Sequence, residues 1–175
     1  TMRFMLANMQ GFDPNKDLLN IDKMLVLDQW IVSKTADLQL QVVNEYDEYN
    51  FHLAMKMILN FCTNDLGGFY LDIIKDRQYT TQADSLARRS AQSALYHIAH
   101  AMVRWMAPVL SFTAEEFWQY LPGASNESVF LQTWYEDLIG DFNNSAIDSA
   151  RDVNIHLRKE LEEMRRDKVI GSSLD

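Results

Sequence analysis

A short segment in the middle of the chain combines the residue types that bind phosphate backbones. Lys75, Arg77 and Tyr79 alternate at the end of an apolar helical run that begins at Phe69. Lys and Arg neutralise phosphates, and a tyrosine ring offers a surface on which a base or ribose can stack. A helix packed only into a core does not need this ending. The segment therefore indicates a surface that meets nucleic acid.

A basic pair follows soon after this segment. Arg88 and Arg89 lie one turn into the next predicted helix, and the loop from Arg77 to Asp84 is short. The short loop should keep the pair near Lys75 and Arg77, so we predict one patch that contacts phosphates. Solvated or salt-bridged charge remains an equal alternative for the pair. In that account Asp72, Asp76 and Asp84 neutralise Lys75, Arg77, Arg88 and Arg89 in local salt bridges, which contribute little when exposed.

A third basic cluster lies near the end of the chain, at Arg165, Arg166 and Lys168. We include these three residues among the predicted phosphate contacts. The alternative is that they only complement the negative end of a helix dipole.

The overall charge of the chain argues against a simple nucleic-acid assignment. The net charge is −9, whereas nucleic-acid-binding domains are usually basic. The distribution is uneven: residues 51–107 hold 6 Lys and Arg against 4 Asp and Glu, while residues 108–150 hold 0 against 7. An acidic body with a basic stripe would repel nucleic acid everywhere except at the intended face.

Other residues that could do chemistry have simpler explanations. His97 and His100 are three apart within a predicted helix and have no acidic or cysteine companion, so we interpret them as ordinary helix histidines. Cys62 is the single cysteine and is predicted to be a buried, inert thiol. Glu115 and Glu116 fit a capping role better than acid–base chemistry. We therefore predict no catalytic residue, no metal site and no cofactor within this chain.

The tryptophans could stack on bases or pack in a core. Trp30, Trp105 and Trp118 lie at helical positions and are expected to pack. Trp134 and Tyr135 lie in a predicted loop, where both roles stay open.

Apolar residues recur at helical spacing almost throughout, which predicts an all-α bundle of about five or six helices. We expect a first helix to about Met9, a break at residues 11–14, and long helices from about Asp22 and from Phe51. Asp84-Ser85 should supply the N-cap of the next helix, which stops near Pro108. Thr113 and Glu116 should form a capping box for a helix from Ala114 to Leu121. Residues 124–144 read as loop with an extended piece at 128–131, and a last amphipathic helix spans 145–168.

The same spacing predicts the core. Long apolar stripes include Tyr46, Tyr49 and Phe51, and extend to Ile73. The glycine pair at 67–68 interrupts the second long helix, which favours a close helix–helix approach or mild kink over a break that redirects the basic segment. The residues expected to be buried are Leu27, Ile31, Met55, Ile58, Cys62, Phe69, Leu95, Ile98 and Met102.

The length suits a single domain over residues 1–175. The chain opens inside an apolar helical pattern without a capping sequence and stops soon after Gly171, so we interpret it as a fragment cut at both ends from a longer protein. Apolar residues make up 47% of the chain, and no run is long enough for a membrane span. Cysteine scarcity is typical of a reducing, cytoplasmic protein.

Three segments resemble the anticodon-binding helical domain of isoleucyl-tRNA synthetases, and the resemblance covers nearly the whole chain. They are Phe69-Tyr-Leu-Asp-Ile-Ile-Lys-Asp-Arg-Gln-Tyr79, Ala83-Asp-Ser-Leu-Ala-Arg-Arg-Ser-Ala-Gln-Ser-Ala-Leu-Tyr96 and Val103-Arg-Trp-Met-Ala-Pro-Val-Leu-Ser-Phe-Thr-Ala-Glu-Glu116. The first segment favours the isoleucine enzymes over their valine, leucine and methionine relatives. Gln29 replaces the arginine that is commoner in the family, so a basic role at position 29 is not carried over.

The resemblance implies a helix bundle of the class Ia synthetase type that holds the anticodon stem and loop of tRNA(Ile). The parent enzyme would use ATP and Mg²⁺ in a separate catalytic domain, so this chain should not aminoacylate alone. Its implied partners are tRNA(Ile) and the remainder of the synthetase chain. A second hypothesis is a helical protein-interaction module. Salt-dependent tRNA binding would distinguish the first hypothesis from the second.

Overall fold

The computed structural model describes residues 1–138, 142 and 145–171. Within them the regular elements are all helices, with no β-strand, which confirms the predicted all-α class. The chain divides into two compact units, residues 1–142 and residues 143–175. The α-helices are α1 (Met2–Asn8), α2 (Pro14–Asp17), α3 (Val26–Asp47), α4 (Phe51–Asn60), α5 (Leu71–Thr80), α6 (Leu86–Met106), α7 (Ser111–Gln119) and α8 (Ser145–Arg166). Residues Ile21–Lys23 and Val129–Leu131 form 3₁₀ turns, and Phe61–Tyr70 is a π-helix that joins α4 to α5.

Helix α6 is the centre of the first unit and contacts α1, α2, α3, α5 and α7. Fifteen of its 21 residues are buried. The small side chains of the buried alanines at 91, 94, 99 and 101 let neighbouring helices approach α6 closely from several directions. A helix that is covered on nearly every side holds the ends of the other helices in fixed positions.

The glycine pair lies inside the π-helix. A π-turn closes its hydrogen bond over one more residue than an α-turn. A Cβ atom at Gly67 would stand 3.0 Å from the Cys62 carbonyl oxygen, and one at Gly68 would stand 3.0 Å from the Thr63 carbonyl oxygen. The close contacts are therefore within one helix, and the predicted close approach of a second helix at this pair is wrong among the residues that the structure describes. The helix does not break, since α5 continues directly from it.

The π-helix also shifts which residues face the core. Phe61 and Leu66 are buried although they are five residues apart, and Ile74 is buried. The predicted places of Cys62 and Ile73 in the apolar stripe are therefore wrong. Cys62 is only half-buried, and Ile73 is 43% exposed. A constant period of 3.6 residues cannot follow a helix that widens in its middle.

Three further apolar positions differ from the predicted core. Met55 is half-buried, while Tyr49 and Phe51 are 79% and 45% exposed because α3 ends at Asp47 and leaves them at the end of the bundle. The other predicted core residues are buried: Leu27, Ile31, Ile58, Phe69, Leu95, Ile98 and Met102.

The segment after α6 differs from its predicted local structure. Helix α7 begins at Ser111, so Thr113 lies inside the helix and forms no capping box. Glu115 instead accepts hydrogen bonds from Ser128 Oγ (2.8 Å) and Val129 N–H (3.1 Å). This carboxylate stabilises a 3₁₀ turn where the sequence predicted an extended piece. The predicted cap at Ser85 is confirmed, because its hydroxyl accepts the Arg88 N–H.

The two helix histidines are buried with hydrogen-bond partners. His97 Nδ1 lies 2.9 Å from the Tyr135 hydroxyl. His100 Nε2 lies 2.9 Å from the Pro122 carbonyl, and Arg104 Nη1 lies 3.2 Å from His100 Nδ1. A carbonyl only accepts and a guanidinium only donates, so His100 is neutral with its proton on Nε2. Burial lowers the pKa of each histidine to about 4.

The second unit contains α8, an amphipathic helix whose predicted span is confirmed to within two residues. It ends in a Schellman motif: Val169 N–H donates to Met164 O (2.9 Å) and Lys168 N–H donates to Arg165 O (3.0 Å). Lys168 occupies the left-handed position of that motif, with φ of 57°.

Stability of the first unit should fall in acid because of His97 and His100. Their folded-state pKa of about 4 lies below the unfolded value of 6.5, so the unfolded state binds more protons between these pH values. The stabilisation is complete above pH 6.5 and is lost as the pH falls to about 4, by roughly 1.4 kcal/mol for each pKa unit and histidine. Urea unfolding of His97→Gln/His100→Gln should show a flatter pH dependence than the wild type.

The matched control is His52→Gln, because His52 is exposed on α4. It should keep the pH dependence of the wild type. An unchanged slope in the double variant would contradict this account.

Candidate nucleic-acid interface

Helix α5 carries the predicted basic-aromatic segment, but it divides the three residues between two faces. Lys75 and Tyr79 are four residues apart and lie on one exposed face, whereas Arg77 lies about 200° around the helix from Lys75. Tyr79 is 68% exposed, and Arg77 is turned toward the core. The buried residues Ile74 and Gln78 anchor the helix between these positions.

Arg77 is held by a buried carboxylate at the start of α3. Its Nη1 lies 3.2 Å from Asp28 Oδ2, and Asp28 is fully buried. Tyr70 donates its hydroxyl to Asp28 Oδ1 (2.7 Å), and Ser90 donates to Oδ2. Ser90 Oγ also accepts the Leu25 N–H (2.8 Å), so it satisfies a donor at the start of α3. One carboxylate thus joins α3, the end of the π-helix, α5 and α6.

Burial of the Asp28 carboxylate has a large desolvation cost, and the donors that surround it offset that cost. Burial raises the pKa of Asp28, while the hydrogen bonds from Ser90 and Tyr70 and the charge of Arg77 act in the opposite direction. Burial and the nearby Asp28 charge raise the pKa of Tyr70 well above its usual range, so this hydroxyl remains a donor. Because all three partners are donors, they favour the ionised form of the carboxyl group.

Arg88 and Arg89 lie in the first turn of α6 and are both half-buried. Arg89 Nη2 lies 3.3 Å from Asp17 Oδ1, and its Nη1 donates to Gln92 Oε1 (2.8 Å). Arg88 Nη1 lies 3.5 Å from the Thr81 carbonyl, at the limit of a hydrogen bond. Among the described residues, Arg77 and Arg89 therefore pair with Asp28 and Asp17 and not with the expected Asp76 and Asp84.

The exposed face of α5 is the part of the predicted patch that solvent reaches freely. Lys75 Nζ lies 2.8 Å from Asp72 Oδ1, and this hydrogen bond raises the pKa of the lysine. Both side chains are nearly half-exposed, so the pair is weak and the ammonium can exchange Asp72 for a phosphate. A cation and an exposed ring on one helix face can contact a phosphate and a neighbouring base or ribose together.

The third basic cluster lies in the second unit. Arg165 pairs with Glu162 at 3.0 Å, and Arg166 Nε lies 3.7 Å from Asp167. Arg165, Arg166 and Lys168 are all exposed at the end of α8. The cluster therefore offers accessible cations, partly balanced by neighbouring acids.

The role of Asp28 was missed in the sequence, although a signal was present. Asp28 lies between Leu27 and Trp30 on the buried side of a helix, and a carboxylate at such a position requires donors.

The two aromatic residues of the predicted loop differ in burial. Trp134 is 38% exposed, whereas Tyr135 is buried beneath Arg104, whose guanidinium lies 5.2 Å from the ring centre. The packing predicted for Trp30, Trp105 and Trp118 is confirmed, since all three are buried.

Within the described residues, no group of three or more His, Cys, Asp or Glu side chains could hold a metal ion. None of the described helices is both long enough and apolar enough to cross a membrane.

Comparisons with known proteins agree with the sequence resemblance. A family model described as the anticodon-binding domain of tRNA ligase matches residues 28–175. The chain is 63% identical over 175 residues to an isoleucine–tRNA ligase of Ruthia magnifica subsp. Calyptogena magnifica. It is 53% identical over 179 residues to that of Pseudomonas entomophila (strain L48), and 51% identical over 180 residues to that of Shewanella sp. (strain MR-4). These matches cover 99–100% of the chain but 19% of each relative, so the chain spans about a fifth of their length.

Removal of the buried Asp28 carboxylate should lower the free energy of unfolding far more than removal of an exposed carboxylate. Asp28→Ala leaves Arg77, Tyr70 and Ser90 without their acceptor and should lower the free energy of unfolding by roughly 3–5 kcal/mol. Asp72→Ala removes the exposed partner of Lys75 and should lower the stability far less, because solvent screens an exposed ion pair. Urea denaturation followed by circular dichroism would measure both, and equal losses in the two variants would refute the assignment of Asp28 as the central contact.

Proposed function

Because the chain belongs to the family of anticodon-binding domains of tRNA ligases, we propose that it binds the anticodon stem and loop of tRNA(Ile) within a longer isoleucine–tRNA ligase. The observation that carries this proposal is the family match from residue 28 to the end of the chain, supported by 51–63% identity to ligases named for isoleucine. The parent would join isoleucine to its tRNA with ATP and Mg²⁺, and it would act in the cytoplasm, where translation uses the product.

The role of this domain in the reaction is positional. Backbone contacts fix the register and orientation of the tRNA, while unpaired loop bases can be stacked upon and read along their edges. Binding at the anticodon then delivers the acceptor end to a distant active site. We place the ATP and Mg²⁺ site in another part of the parent, because the chain spans only 19% of its isoleucine–tRNA ligase relatives.

We assign the main RNA contact to the exposed face of α5. Lys75 supplies a phosphate contact, and Tyr79 supplies a stacking surface one helical turn away. Arg77, Arg88 and Arg89 add positive potential behind this face, although Arg77 and Arg89 also hold Asp28 and Asp17. Arg165, Arg166 and Lys168 provide a second set of phosphate contacts from the other unit.

Substitution of Lys75 separates the RNA contact from stability. Lys75→Gln in the full-length ligase should weaken tRNA binding and flatten the slope of log affinity against log salt by about 0.7–0.9. Isoleucyl-adenylate formation, followed by pyrophosphate exchange, should stay unchanged because that step needs only the catalytic part. Lys56→Gln is the matched control, since Lys56 is an exposed cation on α4. An unchanged salt slope in a correctly folded Lys75→Gln variant would exclude Lys75 from the contact.

If Tyr79 stacks on a base or ribose, removal of its ring and removal of its hydroxyl group should have different effects on tRNA affinity. Tyr79→Ala should weaken tRNA binding by about 1–3 kcal/mol, whereas Tyr79→Phe should retain most of the affinity because the ring remains. Filter-binding titrations with labelled tRNA(Ile) would measure both. If Tyr79→Phe lost as much affinity as Tyr79→Ala, the hydroxyl group rather than stacking would carry the interaction.

The isolated chain should catalyse no isoleucine-dependent pyrophosphate exchange. This reaction needs an ATP site, which we place outside these residues. Activity above a protein-free blank, with contaminating host ligase excluded by a tag-only purification, would overturn the assignment of catalysis to another part of the parent.

A further inference from the structure

An exposed aromatic cluster lies where α3 ends and α4 begins. We name it the aromatic face and define it as Tyr46, Tyr49, Phe51 and Trp134. Their rings are in continuous contact: Tyr49 lies 5.8 Å from Phe51, Phe51 lies 5.6 Å from Tyr46, and Tyr46 lies 5.9 Å from Trp134, measured between ring centres. Tyr49 is 79% exposed, and Phe51 and Trp134 are exposed as well. A contiguous group of exposed large rings is typical of an interaction surface.

The backbone at Tyr49 adds an independent indication. Asn50 N–H donates to Glu45 O (2.7 Å) and Tyr49 N–H donates to Tyr46 O (3.1 Å), so α3 ends in a Schellman motif. Tyr49 occupies its left-handed position, with φ of 59°, where glycine is the usual residue because it has no Cβ. The chain thus holds a bulky ring in an unfavourable backbone conformation and leaves that ring mostly in solvent, so the fold itself gains little from it.

The apolar surface continues at the neighbouring end of α6. Tyr46 donates its hydroxyl to the Trp105 carbonyl (2.7 Å), which fixes the aromatic face beside the end of α6. The corner that follows carries exposed Val109, Leu110 and Phe112, the last of them 93% exposed. This end of the bundle therefore presents several exposed apolar side chains from two helix connections.

The charge around the aromatic face disfavours RNA. Residues 35–55 and 105–138, which supply the aromatic face and the α6–α7 corner, contain no Lys or Arg and hold 9 Asp and Glu. Glu45 and Glu48 lie beside Tyr46 and Tyr49 in the chain, and Glu136 lies two residues after Trp134. A phosphate backbone would be repelled here, whereas a protein surface with Lys or Arg around an apolar centre would be attracted.

We propose that the aromatic face is the docking surface for another part of the same ligase chain, one that lies outside these 175 residues and carries apolar side chains ringed by Lys or Arg. This inference rests on the proposed function, which places the domain inside a ligase about five times its length. A second copy of this domain fits less well, because two acidic surroundings would face each other.

Hydroxyl-radical footprinting of the full-length ligase would test the docking surface without any substitution, because tyrosine and tryptophan are natural probes. Rates at Tyr49, Trp134 and Tyr79 are each normalised to the urea-unfolded protein. Tyr49 and Tyr79 have similar exposure in this structure, at 79% and 68%. Without tRNA, Tyr49 should react at least about fivefold more slowly than Tyr79, because an interface core excludes solvent.

The tRNA arm separates this inference from the proposed function. Added tRNA(Ile) should slow Tyr79 and leave Tyr49 and Trp134 unchanged. Failure of Tyr79 to respond would count against the proposed RNA contact alone. Fast oxidation of Tyr49 in the ligase without tRNA would overturn the docking surface. If added tRNA then slowed the oxidation of Tyr49, the face would be an RNA contact; if the rate stayed high, the face would be free in both states.

Two substitutions in the full-length ligase test the charge and the ring separately. Glu48→Lys places a cation beside the face and should raise oxidation of Trp134 severalfold. Its control, Asp37→Lys, lies 11 residues earlier on α3, roughly 16 Å along the helix, and should leave Trp134 unchanged. Tyr49→Gly relieves the left-handed residue, so the ligase should remain folded while Trp134 becomes more reactive. Unchanged Trp134 protection in both Glu48→Lys and Tyr49→Gly would refute the docking surface.

Discussion

The first unit depends on one buried carboxylate. Asp28 has no access to solvent, and its acceptor oxygens are satisfied by Tyr70, Arg77 and Ser90. An ionised group at this position would be prohibitively costly without such donors, so its presence requires α3, α5 and α6 to meet in one arrangement. The orientation of α5 follows from this requirement. With Arg77 fixed inward, Lys75 and Tyr79 are fixed outward.

Much of the fold could be predicted from the sequence because most helices keep a regular period. The all-α class, the α6 core and the Ser85 cap follow from apolar spacing and from capping chemistry. The prediction fails where the period changes. Around the π-helix Phe61 is buried instead of Cys62 and Ile74 instead of Ile73, and no propensity scale predicts that widening from a pair of glycines.

The candidate site could be predicted only in part, for a similar geometric reason. Lys75, Arg77 and Tyr79 form a convincing pattern when they are read along the chain. On a helix, however, positions two apart point in different directions. The partners of Arg77 and Arg89 could not be found locally either, since Asp28 and Asp17 lie 49 and 72 residues away in the chain. Local spacing correctly predicted Asp72 as the partner of Lys75, but for Arg77 and Arg89 it indicated acids that are near in sequence and not those that are near in space.

The π-helix has a consequence for chain length. A helix that closes some of its bonds over five residues holds more residues for the same rise than an α-helix does. Gly67 and Gly68 lie in this wider stretch, where a Cβ atom would crowd the Cys62 and Thr63 carbonyl oxygens. The residues on either side keep their places against the core, with Phe61 before and Ile74 after. A related chain that lacks one residue in this stretch could therefore close an unbroken α-helix and still present the same core residues. The stretch between α4 and α5 is thus where the chain can gain or lose a residue while the surrounding helices keep their packing.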